Sequence, residues 1–66
     1  MSLTLAKAAE NVGAEVIYRN PVTRLYDERG VIEGIDEARR MVVVLYRTSG
    51  VHLTHPVNLT LVRRKS

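Results

Sequence analysis

Two histidines, His52 and His55, stand three positions apart near the end of a 66-residue chain. On a helix that spacing would put both imidazoles on one face, fit to share a metal ion. On a strand it sends them to opposite faces, where one ion cannot bridge them. The context Val51-His-Leu-Thr-His-Pro56 reads as a strand running into a turn. The pair is therefore expected to be a surface and a turn histidine, with no metal site. The chain contains no cysteine, which removes thiolate ligands and disulfides. Ser49, His55 and Asp36 supply the residue types of a nucleophilic triad, but a triad works only when the base touches both partners. Nothing in their spacing ties them together. Glu33, Asp36 and Glu37 could do acid–base work, yet carboxylates of a hairpin ordinarily serve solvation. No Gly-rich phosphate loop is present. The expectation is a non-enzymatic chain with no catalytic residue, no metal and no cofactor.

The basic residues offer a different chemistry. Ten Lys and Arg stand against seven Asp and Glu, a formal charge of +3. That mild excess permits attraction to phosphates. Arg39 and Arg40, Arg47, and Arg63-Arg64-Lys65 form clusters, and Tyr26 near Arg24 could stack on a base. These eight residues are the candidate nucleic-acid contacts. Tyr18, Tyr26 and Tyr46 are the three tyrosines, with no Trp or Phe beside them. A groove for proline-rich or methylated ligands generally takes more aromatics. Tyr18 and Tyr46 are expected partly in the core.

Strands must position these groups. Met41–Tyr46 is an unbroken apolar run rich in β-branched residues, which fit a pleated surface better than a helix. With Gly30–Ile35 before it and the polar turn Asp36–Arg39 between, it predicts a hairpin. Gly30 and Gly34 are read on one face of the second strand, where glycine marks a bend, a bulge or a close approach. Val42, Val44 and Tyr46 point one way; Met41, Val43 and Leu45 point the other. A half-exposed antiparallel strand should alternate apolar with polar. Its second face must therefore be covered, by the chain itself or by a partner.

Around this hairpin, residues 3–12 read as a helix with Leu5, Ala8, Ala9 and Val12 in a stripe, capped by Ser2 or Thr4 and ended by Gly13. The stripe is expected to pack on the spare face of the sheet. Ala14–Arg19 is a strand, residues 21–28 a polar loop, Thr48-Ser49-Gly50 a tight turn. Val51–His55 is a strand with Leu53 facing in. Residues 56–59 suit one 3₁₀ turn, Thr60–Arg63 is a short strand, and residues 63–66 form a basic tail. The expected core is Val16, Tyr18, Ile32, Val42, Val44, Leu53, Leu59 and Leu61. The fold class is all-β: a five-stranded SH3-like barrel over residues 13–66, preceded by a short N-terminal helix over 1–12.

Several stretches resemble small SH3-like barrel proteins of bacteria, phages and mobile gene cassettes, many without an assigned function. They are Gly13-Ala-Glu-Val-Ile-Tyr, Arg29-Gly-Val-Ile-Glu-Gly-Ile, Val42-Val-Val-Leu-Tyr and Thr54-His-Pro-Val-Asn-Leu. A fainter resemblance, in Gly30-Val31-Ile32 and a proline-led turn, is to the plasmid-borne trimethoprim-insensitive dihydrofolate reductases. It implies a tetramer around a pore lined by His52 or Thr54. That family's Val-Gln-Ile-Tyr-Pro segment is His52-Leu-Thr-His-Pro56 here, without the Gln or the Tyr.

A chain this short buries only about 60% of its unfolded surface and commonly needs help, which oligomerisation can supply. Ile17, Val43, Leu45 and Val62 are the candidate oligomer interface. No apolar run approaches the roughly 20 residues of a membrane span, and the N-terminus lacks a signal-peptide pattern. A soluble, cytoplasmic binding module is expected, with nucleic acid or a nucleic-acid-bound protein as the first partner class, a protein-interaction or self-assembly module forming a homo-oligomer through the outer face of strand three as the alternative, and a pore-type reductase third.

Overall fold

The β-branched run Met41–Tyr46 folds as a strand and pairs antiparallel on both sides. The computed structural model describes residues 3–62, without the side chains of Tyr26 and Asp27. Its elements are α1 (Leu5–Glu10), β1 (Glu15–Arg19), β2 (Tyr26–Asp36), β3 (Met41–Tyr46), β4 (Gly50–Thr54), a 3₁₀ turn over Pro56–Asn58, and β5 (Leu59–Leu61). The five strands make one antiparallel sheet in the order β4-β3-β2-β1-β5. The molecule is mostly β with a short helix, and no helix among the described residues is long and apolar enough to cross a membrane.

One side of the sheet carries the core. Val16, Ile32, Val42, Val44, Tyr46 and Leu59 are buried together with Leu3 and Ala8, and Leu5, Tyr18, Ile35 and Leu61 pack against them. Thr4 caps α1, its hydroxyl accepting from the Lys7 amide at 3.1 Å. The helix ends at Glu10, earlier than the stripe to Val12 predicts, and Val12 is exposed. Gly13 follows at φ +95, the left-handed geometry that favours glycine. The helix inserts Ala8 into the core rather than lying over the other side of the sheet.

Three further expectations are corrected. β2 starts at Tyr26, so the loop after β1 is confined to residues 20–25, and Tyr26 belongs to a strand. Leu53 does not face in: it pairs with Val43 on the outward side, and its neighbour Thr54 takes the buried place opposite Val42. Gly30 and Gly34 do not share a face. The register slips between Ile32 and Gly34, leaving Glu33 as the extra residue of a bulge. Gly30 consequently pairs with inward Tyr46, and Gly34 with outward Val43. A Cβ on Gly30 would lie 2.6 Å from the Val44 Cγ1 and 2.9 Å from the Leu45 carbonyl, whereas one on Gly34 would meet nothing within 4 Å.

Candidate functional site

Pairing registers place the outward side chains of β2 from Arg29 on, of β3 and of β4. Residues directly opposite one another share a face. Val31, Leu45 and Val51 form one row across β2, β3 and β4, and Gly34, Val43 and Leu53 form the next. Val31 is 37% exposed, Leu45 41%, Val51 58% and Leu53 41%. Large apolar side chains at neighbouring positions of three adjacent strands make a contiguous patch rather than scattered singles, the pattern of an interaction surface. Gly34, with open space where a side chain would stand, leaves a notch beside Val43.

Charges border this patch along the strands. Arg29 and Arg47 come next beyond the Val31–Leu45 row, held together where the Arg47 amide donates to the Arg29 carbonyl at 3.4 Å. Arg29 also pairs with Glu15 at 3.3 Å. At the other end of the patch lies exposed Glu33 on its bulge, followed by Asp36. Asp36 holds Arg39 through a 2.9 Å ion pair and accepts its backbone amide, and these bonds lower the Asp36 carboxyl below its usual 3.8. Among the described residues, neither Arg47 nor Glu33 has an ion-pair partner.

Of the four expected interface residues, Val43 and Leu45 lie inside the patch. Ile17 and Val62 share its face, by their pairing with Arg29 and Glu15, but sit beyond that ion pair on β1 and just past β5. Val31, Val51 and Leu53 were not among the expected residues. The signal for two of them lies in the tight turn: pairing symmetric about Thr48 sets Val51 opposite Leu45 and Leu53 opposite Val43.

Among the described residues, the expected nucleic-acid contacts do not gather on one surface. Arg24 lies in the loop before β2, at a left-handed φ of 62, and Arg39 and Arg40 lie in the turn after it, at the other end of the longest strand. Arg47 is elsewhere again, beside Arg29. Tyr26 is backbone-paired with Arg19 at a slip of register; its side chain, and Arg63, Arg64 and Lys65, lie outside the described residues.

A concavity of about 390 Å³ opens at the edge of the core between Tyr18, Glu28, Tyr46, His52, Thr54 and Asn58. Its polar groups serve the fold. Glu28 accepts from the Thr48 amide and hydroxyl and from the Ser49 hydroxyl, and the Thr48 bonds lead in holding its carboxyl below the usual 4.5. The Tyr46 hydroxyl meets the Thr54 hydroxyl at 2.6 Å in the interior, and burial raises its pKa. Tyr18 stands edge-on to Tyr46 at 6.2 Å. His52 Nε2 meets the Ser49 carbonyl at 2.9 Å, while His55 Nδ1 accepts the Val57 amide at 3.3 Å and caps the 3₁₀ turn. The triad residue types stay apart: Ser49 bonds Glu28, His55 caps a turn and Asp36 holds Arg39. Among the described residues, no three His, Asp or Glu side chains gather to hold an ion.

Compared with models of protein families, with curated proteins and with solved structures, the chain matches none.

Proposed function

We propose that this chain is a non-enzymatic self-assembly module, an SH3-like barrel that forms a homo-oligomer through the outward face of β2, β3 and β4. The barrel reading draws on the strand order β4-β3-β2-β1-β5 and on the 3₁₀ turn that joins the two outer strands. Inward residues of β1, β2, β3 and β5 meet in one cluster, as a sheet curled on itself requires.

The observation that carries the functional reading is the uncovered row pair Val31–Leu45–Val51 and Val43–Leu53. Among the described residues, the helix that could cover it is spent on the core. Burying such side chains is worth about 25 cal/mol per Å² of apolar surface, and a short chain with eight buried core residues among those described gains stability from it. A phosphate-binding role draws less support, because among the described residues Arg24, Arg39, Arg40 and Arg47 are dispersed and Arg39 is already engaged.

The test is light scattering over a concentration series. Wild type should exceed the monomer mass, and Leu45→Arg should be monomeric. At 41% exposure, Leu45 tolerates the change in the monomer. In a buried patch centre it should cost about 2 kcal/mol or more, roughly thirtyfold in dissociation constant. A wild-type mass equal to the monomer throughout would reject the proposal.

A further inference from the structure

We infer that the occupant of the outward face is a second copy of the chain, docked about a twofold axis that crosses the strands along Val31, Leu45 and Val51 and sets Arg47 of each copy beside Glu33 of the other. The inference rests on the reading of that face as a self-assembly surface and gives it a geometry.

The placement follows from register. In a twofold interface the same patch meets itself, so residues on the axis touch their own counterparts and residues either side exchange. With the axis along the Val31–Leu45–Val51 row, strand positions reverse about it. In β2, Arg29 falls over the Glu33–Gly34 bulge of the second copy; in β3, Arg47 falls over its Val43. Glu33 neighbours Val43, because the bulge leaves Glu33 and Gly34 sharing that one partner position. The second copy's Glu33 therefore arrives between Arg29 and Arg47.

Three observations fit this arrangement and no other occupant as well. The two ends of the patch carry opposite charge, so the face complements itself when reversed. Glu33 and Arg47, the residues brought together, are those without an ion-pair partner among the described residues, whereas Arg29 already holds Glu15. Gly34 leaves open space opposite Arg29, where any side chain would crowd the guanidinium. Two sheets packed face to face lie about 10 Å apart, within reach of an Arg and a Glu at the rim. A partner with a uniformly acidic or basic surface would meet one end of the patch well and the other badly.

The experiment is sedimentation equilibrium on four proteins: wild type, Glu33→Arg, Arg47→Glu and the double variant carrying both. Both positions are exposed, so the fold should survive each change. Each single variant replaces two attractive contacts per dimer by two repulsive ones and should weaken dimerisation about tenfold. The double variant should return to near the wild-type dissociation constant. Raising salt should weaken wild type and narrow the differences. Equal dissociation constants for all four, or a double variant as weak as the singles, would overturn the twofold arrangement while leaving association through the apolar face intact. A monomeric wild type would overturn the underlying reading as well.

Discussion

The two central glycines of β2 are chemically identical and stand in opposite surroundings, so substituting each with alanine tests the register directly. At Gly30 a new methyl would lie 2.6 Å from the Val44 Cγ1, 2.9 Å from the Leu45 carbonyl oxygen and 3.0 Å from the Tyr46 Cδ1. Val44 is fully buried and its rotamer is fixed by neighbours, and a ladder carbonyl cannot withdraw without breaking its hydrogen bond. Relief requires β2 and β3 to separate, a cost typical of overpacking, about 1–3 kcal/mol. For a domain this small each kcal/mol shifts Tm by about 4–8 °C, so Gly30→Ala should melt some 5–20 °C below wild type, roughly, on that scaling. At Gly34 the methyl meets nothing within 4 Å, and the backbone is outside the left-handed region. Gly34→Ala should hold or raise Tm by restricting the unfolded chain, a gain of about 0.4–1 kcal/mol. Thermal melts by circular dichroism, at one low protein concentration so that association does not enter, decide the matter. Equal melting temperatures, or a more damaging Gly34→Ala, would refute the bulge at Glu33 and with it the assignment of the outward face.

Two further expectations concern the polar joints of the sheet. Thr54→Val leaves the Tyr46 hydroxyl buried without its 2.6 Å partner and should cost about 1–3 kcal/mol in a denaturant titration. Adding Tyr46→Phe removes the orphaned group and should recover part of that loss; no recovery would contradict the pairing. Glu28 and Asp36 carry carboxyls lowered below 4.5 and 3.8 in the folded chain, by Thr48 and by Arg39 respectively. Folding thus favours their ionised forms: the contribution is whole above those unfolded values and drains away as pH falls through the lowered ones. Stability followed from pH 6 downward should therefore decline in the acid range around and below about pH 4, and Glu28→Gln should flatten part of that decline. An unchanged profile in Glu28→Gln would show that the β3–β4 turn does not depend on that carboxylate.

Much of the fold was legible in residue types and turn chemistry. Met41–Tyr46 is rich in β-branched residues and too short for a typical buried helix; the hairpin with β2, the turn at Thr48 and the 3₁₀ turn after His55 followed from local chemistry. The misreadings within the strands share one cause. Leu53 was placed inside because it is apolar, but its face is set by the register with β3, and that register puts apolar residues outside and Thr54 inside. Glu33 hid the bulge, since an inserted residue leaves no mark on composition, and the period silently changes phase there. The helix was expected on the spare face, yet Ala8, a side chain small enough to approach closely, brought it into the core. Two of the five residues of the candidate surface, Val43 and Leu45, were thus visible. Val51 and Leu53 follow from the register that the tight turn at Thr48 sets, and Val31 became visible only through its pairing with Leu45, which is longer-range information.

The most direct measurement is a methyl-resolved NMR dilution series of the wild-type protein. The account predicts that concentration-dependent shifts concentrate on the methyls of Val31, Val43, Leu45, Val51 and Leu53 and vanish in Leu45→Arg. Shifts centred instead on the residues around Tyr18 and His52, or none at any concentration, would contradict it.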